Sequence, residues 1–368
     1  MDDGVRVLTS AGTEFTAEQI THWADRERRG LEQAIAEADL LVSAPHAGSA
    51  IPEELDEFLA PEFTRRLQFD YTDVATEAVV RRWAEIDPRI VAVVNPHPRM
   101  VRDPNRARPD DIRPQLREAF VRVAAAGPMN RVDLSGVDPI RPVTFSFFPL
   151  IRVPASEDEF ERMALAFEEV AARGLRVYED TRDSLLERFV AGSLRGERGA
   201  FTTLSFHDTM NTTTRIDGAV AVPRDAKDEL PDIVALSNRG DLLGEDRGVE
   251  GDPVTMAPEL LRELADAHRI GFRAERADAV KLNQPYLGSQ EITQASAYFR
   301  SRADEAAAAG VVLSAVQAEF RREYLLGDTA TAVLHEPGDG WVEYDASHVD
   351  ELAHACKSSW DAFRAATA

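Results

Sequence analysis

The 368-residue chain has a single cysteine, Cys356, so no intrachain disulfide can form and a four-cysteine zinc site is excluded. Lysine is almost missing: Lys227, Lys281 and Lys357 are the only ones, and recognition of any anion must fall to locally placed arginines. No run approaches the roughly 18 apolar residues needed to span a bilayer. The start Met1-Asp2-Asp3 is the opposite of a cationic signal peptide, so a cytoplasmic protein without a membrane partner is expected. Also absent are a phosphate loop ending in Gly-Lys-Ser/Thr, G-x-G-x-x-G after a strand, G-x-S-x-G and H-E-x-x-H. Nucleotide enzymes and serine hydrolases lose their usual signatures with them.

Acidic charge is abundant. With 65 Asp+Glu against 42 Lys+Arg the formal charge is −23, a field that repels phosphate backbones and makes nucleic acid a poor partner. The composition (44% hydrophobic, 29% charged) is that of a globular protein. A single core stops growing near roughly 250–300 residues. One large domain over 1–328, with an insertion at about 104–144, and a smaller appendage closed by a helix over 329–368 is therefore expected. Oligomeric state is open.

Hydrophobic patterning alternates short apolar runs with helical periods. Thr16-Ala-Glu-Gln19 reads as a capping box opening a helix to about Ala38. Leu40–Ala44 and Ile90–Val94 read as buried strands, with helices over Glu53–Leu67 and Asp73–Glu85 between them. Ser156-x-x-Glu159 caps a helix to about Arg173, and another covers Thr181–Gly192. Strands are expected at Thr202–Phe206, Ile233–Leu236, Ala279–Leu282 and Gly310–Val316, with helices at Ala257–His268, Ser296–Ala309 and Val349–Ala366. This alternation predicts an α/β fold, a mixed or parallel sheet between helices, with ligands beyond the carboxyl ends of its strands.

Polar residues gather at those ends. His46 follows the first run in Ser43-Ala-Pro-His-Ala-Gly48, and Gly48 permits a close approach of backbone or substrate. His97 follows the second. Arg99, Arg102, Asp103, Asn105 and Arg106 crowd one loop; His207 ends another run; Glu319 follows Leu313–Gln317; Asp70 and Asp73 open a helix. Singly, a histidine here is a capping residue, an arginine loop is a solvated patch and a glutamate is a helix start. Together they are the inventory of a metal-dependent hydrolase: N/O ligands with an open position, an acid–base carboxylate and arginine for negative charge. Cys356, on the closing helix, reads as a packed thiol.

The order of short islands resembles the N-formylglutamate amidohydrolase family. They are Pro45-His-Ala-Gly48, Tyr71-Thr-Asp73, Arg99-Met-Val-Arg-Asp-Pro-Asn-Arg106, Phe206-His207, Asn283-x-Pro-Tyr-x-Gly288 with Ile292-Thr293, and Val316-Gln-Ala-Glu319. That family is similar in turn to zinc carboxypeptidases and aspartoacylases. The resemblance implies a three-layer α/β/α sandwich of the phosphorylase/hydrolase type and hydrolysis of a small N-acyl or N-formyl amino-acid-like amide. It implies one Zn²⁺ per chain, with Fe²⁺, Co²⁺ or Mn²⁺ chemically admissible. His46 and His207 match its zinc histidines and Asp73 its carboxylate ligand, with Asp70 and Glu53 as alternatives because the glutamate that carboxypeptidases carry three residues after the first histidine is Ser49 here. Glu319 matches the general base. Arg99 or Arg102 would hold the oxyanion, Asn105 and Arg106 would grip a substrate carboxylate, and Asn283 and Gly288 belong to the substrate motif. A non-catalytic homologue, or a peptidase using the same metal, are the alternatives.

Three departures bear on substrate. Ser205-Phe-His207-Asp208 stands where the family shows Asp-x-His-Ser, and Pro104 interrupts Asp-Leu-Asn-Arg. The family's Thr-Arg-His-Tyr-Gly is here Thr293-Gln-Ala-Ser-Ala297, with Glu291 adding negative charge beside it. On this reading a less acidic or larger N-acyl compound than N-formylglutamate is expected.

Overall fold

Seven strands form the central sheet of the computed structural model, which describes residues 4–367. In chain order they are β1 (Thr21–His22), β2 (Leu40–Ala44), β3 (Ile90–Val94), β4 (Ala200–Thr209), β5 (Val234–Ser237), β6 (Val280–Leu282) and β7 (Val312–Arg321). Their spatial order is β6-β5-β7-β4-β2-β3-β1. The pairs β7/β4, β4/β2, β2/β3 and β5/β6 are parallel, whereas β5/β7 and β1/β3 are antiparallel, so the sheet is mixed and the fold α/β.

Every residue of β2 and β3 is buried, as expected for strands covered on both faces. On one face Val42, Leu204, Phe206, Val316 and Phe320 share a core with the helices α1 (Val74–Ile86), α4 (Pro258–Gly271) and α6 (Ala346–Thr367). On the other, Leu41, Val91, Phe201 and Ala315 pack with α3 (Leu175–Leu194) and α5 (Gln290–Ser301). A further apolar cluster joins residues 51–71 to α2 (Glu157–Arg173) and the segment before it. The stretch expected as an appendage feeds Leu352, Cys356 and Trp360 of α6 into the first of these cores. No helix among the described residues is long and apolar enough to cross a membrane.

Several elements differ from the sequence reading, each for a local reason. The Thr16 capping box forms, yet its helix ends at Ile20, because Thr21 and His22 are taken by edge pairing to Val93 and Ala92. A second helix restarts at Leu31 behind Gly30. The helix expected over 53–67 splits into a 3₁₀ turn (Glu53–Phe58) and a helix over Arg65–Asp70 on either side of Pro61. β7 runs on to Arg321, which places Glu319 inside the strand rather than after it. The proline-rich insertion hides a helix, Arg113–Ala126, because Pro114 sits in its first turn where no backbone donor is needed.

His268 of α4 is buried and hydrogen-bonds through Nδ1 to the Leu264 carbonyl at 2.9 Å. Burial pushes its pKa down to about 4. Above pH 6.5 the ring is neutral folded or unfolded. As pH falls from 6.5 toward 4, only the unfolded chain takes up the proton, so stability is lost, by about 2 kcal/mol at pH 5. In urea unfolding at pH 7.5 and pH 5, His268→Gln is expected to show a pH dependence shallower than the parent by that amount; equal slopes would refute it.

Candidate metal centre and cleft

Two strands and one helix start bring three buried side chains together. β2 runs into Pro45-His46, and the turn is held by Asn95, whose Nδ2 donates to the Pro45 carbonyl at 2.7 Å. A Cβ on Gly48 would stand 2.2 Å from the Pro96 backbone, so the close approach there is between chain segments. The His46 carbonyl accepts from the Asp73 amide at 3.0 Å, fixing the head of α1 beside the turn. Asp73 occupies the N-cap position but its carboxylate does not cap. Asp208 does so from β4, Oδ2 accepting from the Thr76 amide at 3.1 Å and its hydroxyl at 2.9 Å. The Asp73 carboxylate is thereby left for the site.

His46, Asp73 and His207 each offer one ligand atom, all within 4.8 Å of one another, and the two imidazole rings lie 4.9 Å apart between centroids. Asp73 Oδ2 is 3.7 Å from His46 Nδ1 and 3.4 Å from His207 Nδ1. The other ring nitrogens face inward: His46 Nε2 meets Asp103 Oδ1 at 2.7 Å and His207 Nε2 meets Ser205 Oγ at 2.9 Å. His46 Nδ1 is buried without a hydrogen-bond partner. An unpartnered imidazole lone pair aimed at a carboxylate and a second imidazole is what a divalent cation would complete, and the group can hold a metal ion.

The surrounding charges set the protonation of these groups in the absence of an ion. Burial alone would raise the Asp73 pKa, but Arg99, donating from Nη2 to Oδ1 at 2.6 Å, and the two histidines hold it well below the usual carboxylate range. Asp103 is likewise buried and held low by His46 and Arg99. Burial and Arg99 oppose protonation of His46, and its two carboxylate neighbours outweigh them. Asp208, on the far face of β4, is pushed up to about 6 by burial and the nearby Asp73, against the pull of Arg322.

Register supplies the next member. In β7/β4, Glu319 pairs with His207 and Gln317 with Ser205, so all four share one face of the sheet. Glu319 accepts from Thr209 Oγ1 at 2.6 Å and from Gln317 Nε2 at 2.9 Å. On the opposite face Phe206 stacks on Phe320, centroids 4.7 Å apart. Each such buried ring contributes about 1.5–3 kcal/mol and helps hold the register that aligns the polar face.

The group opens into a cleft of about 610 Å³. Asn105, Arg106 and Gly288 line it, with Tyr71, Arg99 and Glu319; Arg131 from the insertion and Phe145 and Phe147 just after it add to the wall, and the hairpin Thr212–Thr214/Val220–Pro223 leads to Arg224. Asp70 lines the rim, its carboxylate bound to Thr214 Oγ1 at 2.5 Å, while Glu53 lies outside on the 3₁₀ turn; neither joins the trio. His97 is buried elsewhere, Nδ1 against the Ala50 carbonyl at 2.7 Å.

Three expectations need correction. Arg102 does not line the cleft; it turns to α3 and pairs with Glu179 at 2.5 Å, because Arg99 and Asp103 take the inward positions of their loop. Asn283 braces two loops through Asn238 (2.9 Å) and the Asp241 carbonyl (2.7 Å), outside the cleft. The 293–297 segment lies within α5, with Ile292 and Ala295 in the core. Glu291, at the head of that helix, is buried against Arg182 at 2.6 Å and adds no charge to the cleft. The sequence reading assigned no role to Asp103, Ser205, Arg224 or Tyr286. Asp103 has a signal in its place beside Arg102, and Tyr286 in the Asn283–Gly288 island; Ser205 and Arg224 become visible only through contacts across the fold.

Fold and site together define an α/β protein with a buried, metal-competent His–Asp–His group at the carboxyl edge of its sheet. The family model described as N-formylglutamate amidohydrolase matches residues 38–326, and the chain belongs to that family. The match spans every residue of the group, and it implies hydrolysis of amides. Searches among curated proteins and solved structures return no match.

Proposed function

We propose that the protein is a zinc-dependent amidohydrolase, built on a zinc-carboxypeptidase-like sandwich, that cleaves the C–N bond of an N-acyl amino-acid-like substrate bearing a carboxylate. The observation that carries this reading is the buried His46–Asp73–His207 group with an unpartnered Nδ1 on His46 and Glu319 in register beside it. His46, Asp73 and His207 would hold the ion, which supplies Lewis acidity and lowers the pKa of a water from about 15.7 to about 7. Glu319 takes the proton of the attacking water and returns it to the leaving nitrogen. Arg99, anchored on Asp73 and lining the cleft, offers its guanidinium to the oxyanion. Asp103 keeps the His46 tautomer that leaves Nδ1 bare.

Substrate is read from the arginines. Arg106 is engaged by Asp138 through Nε at 2.8 Å. Arg224 has no carboxylate partner among the described residues; Nη1 donates to the Tyr286 hydroxyl at 2.9 Å and Nε is buried and unpaired. Arg224 is therefore the anchor for the substrate carboxylate, with Asn105 and Arg106 lining the same cleft. The volume of the cleft and the Phe145 and Phe147 rings at its wall favour acyl groups bulkier than formyl.

The test is a panel of N-formyl, N-acetyl and longer N-acyl amino acids set against neutral amides. Carboxylated substrates should turn over, and Arg224→Gln should raise their KM by roughly 10–100-fold with little change in kcat, the loss of one charge-assisted hydrogen bond. Turnover of neutral amides alone, or an unchanged KM, would overturn the assignment.

A further inference from the structure

Glu291 lies at the head of α5, buried and hydrogen-bonded on both oxygens. Oε1 accepts from the Tyr178 hydroxyl at 2.7 Å and from Arg182 Nη1 at 2.6 Å. Oε2 accepts from Ser43 Oγ at 2.6 Å and Ser205 Oγ at 3.0 Å. A buried carboxylate is costly unless paired. Arg182 supplies that pairing, yet an ion pair alone needs neither serine. Ser43 and Ser205 are register partners on β2 and β4, so the sheet itself sets both hydroxyls toward one oxygen.

The second contact of Ser205 gives this arrangement a purpose. Its Oγ also meets His207 Nε2 at 2.9 Å. A hydroxyl has one proton to give. Glu291 has none and can only accept, so the Ser205 proton goes to Glu291 and its oxygen must accept from His207. Nε2 then carries the hydrogen, and the lone pair is left on Nδ1, the nitrogen turned to Asp73. His46 reaches the same state by direct contact of Nε2 with Asp103.

We infer that Glu291 is a positioning residue for the metal centre, acting through the Ser205 hydroxyl to fix His207 as the Nε2–H tautomer. The inference rests on the metal-dependent reading above and extends it to a carboxylate that does not itself line the cleft. Arg182 keeps Glu291 ionised and Tyr178 and Ser43 hold its orientation, so the acceptor facing Ser205 is constant.

The test cuts the relay without disturbing the ion pair. Ser205→Ala removes the hydroxyl, whereas Ser205→Thr retains it, with room for the extra methyl because residue 205 borders a separate pocket of about 360 Å³. Zinc affinity is read by competition with a chromophoric chelator, and the His207 tautomer by ¹⁵N shifts of labelled metal-free protein. Ser205→Ala should weaken zinc binding roughly 10–100-fold, the range for loss of a partner that orients a ligand. It should also move the His207 ring nitrogens away from the Nε2–H pattern, while Ser205→Thr behaves as the parent. The double variant Glu291→Leu/Arg182→Met, which removes the acceptor facing Ser205 and both charges together, should reproduce the loss of affinity. Parent-like affinity and ring shifts in Ser205→Ala would overturn the relay while sparing the metal centre. Failure of the parent to bind zinc would overturn the metal reading and the inference with it.

Discussion

His207→Ala is expected to abolish stoichiometric metal binding while leaving the sheet folded. The residue is buried on a central strand, but the charges around it keep other partners. Asp73 keeps its pair with Arg99 at 2.6 Å, and Asp208 keeps Arg322 and the head of α1. What disappears is one of three converging donors. Affinity should fall by more than the roughly 10–100-fold typical when only an orienting partner is removed. Metal content measured on purified protein would be about one ion per chain in the parent and none in the variant. Added zinc should raise the melting temperature of the parent alone, because a ligand at about 1,000 times its Kd stabilises the folded state by about 4 kcal/mol. Metal retained by the variant at parental affinity would remove His207 from the centre.

Glu319→Gln separates chemistry from binding. The substitution keeps shape and an acceptor for Thr209 Oγ1, and the Gln317 amide can rotate to meet it, so the strand and the neighbouring His207 stay in place. A neutral amide cannot take a proton from water at working pH. kcat should drop by roughly 10²–10⁴, the usual contribution of a positioned general base, with metal content unchanged. A decrease of less than about tenfold would deny Glu319 that role.

The sequence revealed the strands well because β2 and β3 are unbroken apolar runs, buried on both faces and ended by turn residues. His46, His207 and Glu319 stand out in the sequence because each lies at or near the end of an apolar run, and Asp73 because it opens a helix. Helices were harder wherever tertiary pairing competed with periodicity, as at Thr21 and His22, or where a proline fell in a first turn, as in Arg113–Ala126. Roles inside the arginine-rich loop were not legible, since Arg99 and Arg102 differ only in the direction each faces. Glu291 was misread for the same reason. Nothing local distinguishes a carboxylate pointing into a cleft from one turned to Arg182 from α3. The serine at 205, read as a departure from the family pattern, is the residue through which a carboxylate reaches His207.

The pairing of Glu319 with His207 makes the chemistry hostage to counting. Side chains on a strand alternate between faces, so deleting one residue between Val312 and Gln317 would either rotate Glu319 toward the layer occupied by Phe206 or unseat the aromatic stack. Insertions in the 104–144 excursion carry no such parity. Drift in chain length is therefore tolerable where the cleft is walled and forbidden where its floor is woven.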